Sequence, residues 1–341
     1  MLDPDQITEL RTQLLEWFAL AKRDLPWRRT CDPYAVWVSE IMLQQTRVAA
    51  AIPYYERFLT SFPSVEALAK ATEPDLLAHW AGLGYYYRAR NLQKAAREIH
   101  ASGTFPQTFE ALRQLPGIGE YTAAAIASIA FDLPHAVVDG NVLRVLSRLC
   151  NADTDIGTLS GKRRFQQIAD NLLDRVQPGT FNQALMELGA TVCLPKAPQC
   201  LTCPVSSVCE GRREGTADRL PVKTTDRRKI EIERTLFWIE RDSQLLLWQR
   251  PASSRLMPGF WELPEAEQLA NISEQRTVGA FSHSITVHRF RFRVVEATEP
   301  EDIGSCEWVE RDRLQSLPLS TIARKAFRIV KDRKKALAAA T

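Results

Sequence analysis

Apolar residues recur at three- and four-residue intervals from the start of the chain to about residue 215, as in TFEALRQL from Thr108 and KRRFQQIADNLLDRV from Lys162. Pro and Gly punctuate short loops between these segments, so residues 1–215 predict an all-α region. The stretch TADRLPVKTTDRRKIE, residues 216–231, is charged and nearly without apolar period, and it predicts an exposed linker. Beyond it the period changes to two. RTLFWIERDSQLLLWQR sets two β-rich runs around a charged turn, and ITVHRFRFRVVEA alternates strictly. A final helix is expected near Ile322 to Lys335, which makes residues 232–341 an α+β domain. Internal repeats and low-complexity tracts are absent from the sequence.

A chain of 341 residues, 45% hydrophobic, is long enough for two or three cores. Its opening, MLDPDQITELRTQLLEWF, is acidic and helix-patterned rather than a basic segment leading into an apolar run. No stretch approaches the roughly 18 apolar residues that a membrane span requires. The expectation is a cytoplasmic, bacterial-type protein without a membrane partner, acting as a monomer. The net charge of +3, from 44 basic and 41 acidic residues, is too small to argue for nucleic acid on its own.

Seven cysteines change the picture. Cys31, Cys150 and Cys306 are scattered, whereas Cys193, Cys200, Cys203 and Cys209 follow one another as C-x6-C-x2-C-x5-C. In a chain without a secretion signal, four thiols this close favour metal ligation over disulfides. Zinc accepts four sulfurs but usually from two knuckles separated by a long spacer, so a 4Fe–4S cluster is preferred, with zinc and free thiols as the alternatives.

The segment LPGIGEYTAAAIASIAF, from Leu115 to Phe131, places Gly117 and Gly119 between a helix ending near Gln114 and one beginning near Glu120. Such a hairpin, spanning about 108–131, aims backbone N–H groups and a positive helix end at one point, where a DNA phosphate can dock without side-chain charge. An ordinary tight turn between helices is the plainer alternative. Two carboxylates stand out. Glu40 lies in the apolar run VWVSEIMLQQT, where burial would raise its pKa and keep a proton available. Asp139 lies in AVVDGNVLRVL just ahead of a helix, where it is at least an N-cap. Cleavage of a glycosidic bond uses an acid that assists the leaving group and a carboxylate that faces the oxocarbenium-like centre, and this pair supplies one of each.

VWVSEIMLQQT, GLGYYYRARNL, LPGIGEYTAAAI, VVDGNVLRVL, FNQALMELGA and the cysteine spacing stand in an order that resembles the MutY-type adenine DNA glycosylases over at least residues 24–210. The resemblance implies a helix-hairpin-helix glycosylase with a structural 4Fe–4S cluster on the four clustered cysteines. It implies a substrate of double-stranded DNA in which adenine is mispaired with 8-oxoguanine or guanine. Glu40 then matches the acid that protonates adenine at N7, and Asp139 the carboxylate that faces the sugar cation. Tyr121 and Asn141 match positions that support these steps. Gln45 and Tyr85 match side chains that wedge into the duplex, while Trp27, Arg28, Leu43 and Gln183 match the pocket for the flipped adenine. Leu115, Gly117 and Gly119 match the hairpin that holds the DNA backbone.

Related endonuclease III-like enzymes nick the strand through a lysine placed just after the hairpin glycines. Here that position is Tyr121, and a phenol cannot form an imine, so a monofunctional enzyme that leaves an abasic site is expected. A noncatalytic DNA-binding protein with a sensing cluster would have no use for Glu40 and Asp139. The C-terminal part resembles the MutT-like (Nudix-fold) lesion-reading module of the same family through SRLMPGFWELPEAEQL, residues 254–269. It lacks the REx2EE metal-binding run, so no pyrophosphohydrolase activity is expected. The loop that reads 8-oxoguanine has two registers. One is the literal triplet Phe281-Ser282-His283. The other, which is preferred, is set by the strand that follows and lays His283-Ser284-Ile285-Thr286-Val287 over the family motif, with Thr286 supplying the hydroxyl.

Overall fold

The structure is a computed structural model. It describes the chain apart from Met1, residues 225–229, 252, 255–256, 270, 286–287, 316 and 339–341, and apart from the side chains at 285, 315 and 334–338. The chain divides into two units, Met1–Thr225 and Asp226–Thr341.

Among the described residues, twelve helices build the first unit: α1 (Pro4–Ala21), α2 (Pro33–Leu43), α3 (Val48–Ser61), α4 (Val65–Lys70), α5 (Glu73–Trp80), α6 (Tyr87–Ser102), α7 (Phe109–Gln114), α8 (Glu120–Phe131), α9 (Gly140–Leu149), α10 (Leu159–Leu172), α11 (Pro178–Thr191) and α12 (Glu210–Arg213). Local chemistry sets many of the starts. Asp3, Asp32, Ser64, Thr72, Thr108, Asp139 and Thr158 each accept a backbone N–H of the first turn, which satisfies donors the helix itself cannot. One core gathers Leu10, Leu14 and Phe18 of α1 with Val145 and Leu149 of α9, Phe165 of α10 and Phe181 and Leu188 of α11. Helix α8 is made almost wholly of small side chains, EYTAAAIASIAF, so its neighbours come close. It packs against α2, α7 and α11, and this brings Tyr121, on its first turn, near both α2 and α11.

Of the segment expected to be an exposed linker, residues 216–224 pack on the first unit, 225–229 lie outside the described residues, and Ile230 and Glu231 belong to the first strand. Ala217–Arg219 form a 3-10 turn, Ala217 and Leu220 are buried, and the chain stays on the first unit to Thr224. The Leu220 carbonyl accepts from Arg148 Nε at 3.0 Å, the Val222 carbonyl from the Ile156 N–H at 3.1 Å, and Thr224 N–H reaches Asp155 at 3.2 Å. The run looks like linker because its charged residues face water, while backbone carbonyls, which carry no sequence signature, make the attachments. The unit boundary falls at 225/226 and the first strand begins at Ile230, two residues before the expected domain start.

The second unit holds β1 (Ile230–Trp238), β2 (Glu240–Arg241), β3 (Gln244–Gln249), β4 (Trp261–Glu262), β5 (Glu274–Ile285), β6 (His288–Ala297), β7 (Cys306–Glu310) and α13 (Thr321–Ala338). One sheet runs β1-β6-β5, with β1 parallel and β5 antiparallel to β6. In the other, β3 pairs antiparallel with β2, β4 and β7. Alternation along β6 turns Arg289, Arg291 and Arg293 to solvent, opposite Glu231 and Glu233 of β1, and Phe292 and Val294 inward. The core under α13 joins Leu236, Leu245, Val294 and Val309 to Ala323, Ala326 and Val330.

Candidate active site and cysteine loop

Glu40 sits in the third turn of α2, 6% exposed, with one carboxylate oxygen, Oε2, lacking any hydrogen-bond partner. Burial pushes its pKa up to about 7; the neighbouring Tyr121 hydroxyl pulls it down, the Asp139 charge pushes it up, and Arg28 draws it down. Burial likewise holds Tyr121 well above the usual tyrosine range, with Glu40 and Asp139 adding to the effect, so the phenol stays protonated as a donor. Its Oη lies 3.5 Å from Met186 Sδ on α11.

Asp139 is both cap and site residue. Its Oδ1 accepts the Val142 N–H at 2.7 Å, and its Oδ2 accepts from Asn141 Nδ2 at 3.0 Å. Asn141 is oriented in turn by Arg144 Nη2 at 2.9 Å, and the Arg144 guanidinium also donates to the carbonyls of Gly189 at 2.7 Å and Cys193 at 2.8 Å. Both oxygens of the Asp139 carboxyl are thus held by N–H donors, which fixes its orientation at the start of α9.

One cavity of about 460 Å³ is lined by Glu40, Tyr121, Asp139 and Asn141 together with Trp27, Arg28, Leu43, Gln45 and Gln183. Residues spread far apart in the sequence therefore converge on one space, and its size suits a nucleobase rather than a polymer. Trp27 is buried and meets Tyr55 edge-on, with ring centroids 5.4 Å apart. Arg28 donates to Glu187 Oε2 at 2.8 Å. Glu187 was not expected from the sequence, although it carries the same signal as Glu40, an acid within an apolar helical run. Burial alone would raise its pKa, but hydrogen bonds from Arg23 and Arg28 outweigh that and hold it at about 2. The two buried acids therefore differ: Glu40 keeps its proton to near neutrality, and Glu187 is ionised and paired.

Helix α2 ends at Leu43, earlier than the run VWVSEIMLQQT suggested, because Gln45 takes a left-handed φ of 57°. Tyr85 does the same at 49° and is 44% exposed; it does not line the cavity. Buried Arg88 ties both turns together. Its guanidinium donates to the carbonyls of Ile41 (2.8 Å), Met42 (3.1 Å) and Gln44 on one side and Leu83 (3.2 Å) and Gly84 (3.1 Å) on the other. The hairpin follows the expectation from sequence, with α7 ending at Gln114 and α8 beginning at Glu120. Leu115 is buried as the cap of α7, Gly117 has φ of 79°, and a Cβ there would fall 2.8 Å from Asn91. A Cβ at Gly119 would meet nothing, and no side chain caps the start of α8.

Cys193, Cys200, Cys203 and Cys209 are free thiols and mutual neighbours: burial pushes up Cys200, Cys203 and Cys209, Cys203 to about 12, and nearby thiolates add to it. Among the described residues, no three metal-binding side chains close around a single ion. Arg148 donates to Cys193 Sγ at 3.2 Å, and backbone N–H groups of Val205, Gly211 and Arg212 favour the thiolates of Cys203 and Cys209. Four cysteine sulfurs gathered in one loop, with Arg148 and backbone N–H donors beside them, are a donor set that fits an iron–sulfur cluster.

In the second unit, Ser282 and His283 lie within β5, paired with Arg291 and Phe290. The Ser282 carbonyl accepts from Lys325 Nζ at 3.1 Å. Burial and the Lys325 charge push His283 down. Thr286 lies outside the described residues.

A helical fold with a glycine hairpin beside an acid-lined, base-sized cavity defines a helix-hairpin-helix DNA glycosylase. In agreement, residues 38–171 match the HhH-GPD superfamily base excision DNA repair protein family. Among solved structures, a thermostable thymine-DNA glycosylase is similar at 27% identity and TM-score 0.55, covering 62% of this chain and 98% of that one. Endonuclease III in a non-covalent DNA complex shares the fold at 22% identity and TM-score 0.53, covering 63% of this chain and 99% of that one. The adenine DNA glycosylase of Homo sapiens is 34% identical over 96% of this chain and 75% of its own length. Those of Arabidopsis thaliana and Mus musculus are 36% and 48% identical over 92% and 61% of this chain, which spans 55% and 42% of their lengths. The chain belongs to the adenine DNA glycosylase family, DNA N-glycosylases of base excision repair.

Proposed function

We propose that the chain excises adenine paired with 8-oxoguanine or guanine in double-stranded DNA, as a monofunctional glycosylase that flips the adenosine into the 460 Å³ cavity. The observation that carries this reading is the convergence of Glu40, Tyr121, Asp139 and Asn141 on that cavity, with the acid half-protonated at about pH 7. Glu40 donates its proton to adenine N7 as the bond from C1′ to N9 breaks and its electron pair moves into the departing base. The Asp139 carboxylate, held by Asn141 and the α9 N–H, faces the positive charge that develops on the sugar, and a water adds to C1′ and loses a proton. Tyr121 holds the Glu40 carboxyl in place. Trp27, Arg28, Leu43 and Gln183 surround the base, Gln45 and Tyr85 occupy the gap it leaves, and the Leu115–Gly119 turn receives a backbone phosphate.

Cys193, Cys200, Cys203 and Cys209 would hold a 4Fe–4S cluster, which supplies cross-linking of their loop rather than chemistry. The second unit, a Nudix-like module without its own hydrolase activity, inspects the base opposite adenine through Thr286, or through Ser282 and His283. The experiment is incubation with duplexes carrying adenine opposite 8-oxoguanine, guanine or thymine, with and without alkali. Cleavage only after alkali, and only in the first two duplexes, is expected. Nicking without alkali, or equal action on the thymine pair, would refute the reading.

A further inference from the structure

Tyr85, Tyr86 and Tyr87 follow one another but take different surroundings. Tyr86 is buried, whereas Tyr85 and Tyr87 are 44% and 56% exposed. The rings of Tyr85 and Tyr87 meet edge-on, 89° apart in plane with centroids at 6.3 Å. Tyr87 opens α6, and the following residue is Arg88, whose buried guanidinium fixes the 41–44 and 83–84 backbones. The aromatic pair therefore stands on a rigid base.

Its position says what it meets. Tyr87 borders a small hollow with Gln44, Asn91, Pro116 and Gly117. Gln44 also lines the catalytic cavity, and Gly117 belongs to the hairpin. A DNA strand that delivers a nucleoside to the cavity and a phosphate to the hairpin has to cross the ground between them, and Tyr87 occupies it. Among the described residues its hydroxyl has no hydrogen-bond partner. Aromatic rings beside open backbone donors are what single-stranded or locally unstacked DNA recognises.

We propose that Tyr87 is a positioning residue for DNA. Its ring braces Tyr85 from the side, and its hydroxyl donates to a phosphate of the adenine strand between the flipped nucleotide and the phosphate on the hairpin. This rests on the functional reading above.

The test measures binding of the full chain to a duplex with an uncleavable 2′-fluoro-adenosine opposite 8-oxoguanine, with one neutral methylphosphonate moved along the adenine strand. The parent loses affinity at the linkage that Tyr87 contacts and at the hairpin linkage. Tyr87→Phe should bind the unmodified duplex roughly tenfold more weakly, the size expected for a hydrogen bond to a charged acceptor. It should lose nothing further at the Tyr87 linkage while keeping the full loss at the hairpin linkage, a pattern that a purely structural role would not produce. Tyr87→Ala should add slower extrusion of a 2-aminopurine reporter. Parent-like binding by Tyr87→Phe, or an unchanged methylphosphonate profile, overturns the proposal. A parent protein that does not prefer the mispair overturns the functional reading instead.

Discussion

Replacing Glu40 by Gln separates the chemistry of the buried carboxyl from its cost to the fold. The Glu40 pKa rises from 4.5 to about 7 chiefly because its carboxyl is buried. At about 1.4 kcal/mol for each pH unit between folded and unfolded values, the ionised form burdens the native state by roughly 3 kcal/mol. The sign follows from proton binding. Between pH 4.5 and 7 the unfolded chain releases this proton while the folded chain keeps it, so stability falls as pH rises and levels off above 7. The glutamine side chain of the variant does not titrate. Its amide leaves a buried donor where Oε2 already lacks a partner, a constant cost of about 1–3 kcal/mol. The stability of Glu40→Gln relative to the parent should therefore rise by about 2–3 kcal/mol between about pH 5 and pH 8, measured by urea unfolding of the helical unit through its far-ultraviolet dichroism. Single-turnover base release by the parent should fall about tenfold per pH unit above 7, and the variant should bind the mispair without releasing adenine. A stability difference that is flat across this range, or near-normal turnover by the variant, would refute the reasoning.

Asp139→Asn should slow single-turnover cleavage by about 10²- to 10³-fold; it keeps the helix cap but turns an amide N–H toward the Asn141 Nδ2 donor, so stability should fall by about 1–3 kcal/mol in urea unfolding. Cys203→Ser should give protein without the brown iron–sulfur absorbance and with weakened DNA binding; a colourless, zinc-containing and fully active parent would overturn the cluster assignment. Arg88→Met should cost about 3 kcal/mol or more in urea unfolding, because it strands several buried carbonyls of the Ile41–Gln44 and Leu83–Gly84 turns. Thr286→Val should reduce the preference for 8-oxoguanine over guanine by roughly 2- to 12-fold with cleavage chemistry intact; the same loss in Ser282→Ala instead would assign the reading to the literal triplet.

Local information determined much of this protein. Helical period, capping residues and the Gly117–Gly119 turn are set by neighbours in sequence, so α7, the hairpin and α8 were legible to the residue. The cysteine spacing was equally plain, because the four thiols lie close together in sequence. Glu40 stood out since a lone acid in an apolar run has few stable explanations. Other features depended on contacts between distant segments. That Glu40, Tyr121 and Asp139 share one cavity follows from the packing of α2, α8 and α9, and no single segment encodes it. Glu187 looked like Glu40 in sequence, and only the approach of Arg23 and Arg28, 164 and 159 residues away, made one acid ionised and the other protonated. Residues 216–224 read as linker and proved to be packed, because backbone carbonyls meeting Arg148 and Ile156 hold them. The pKa of a side chain and the partner of a carbonyl are properties of the surrounding dielectric and charge, and these exist only once the chain has folded.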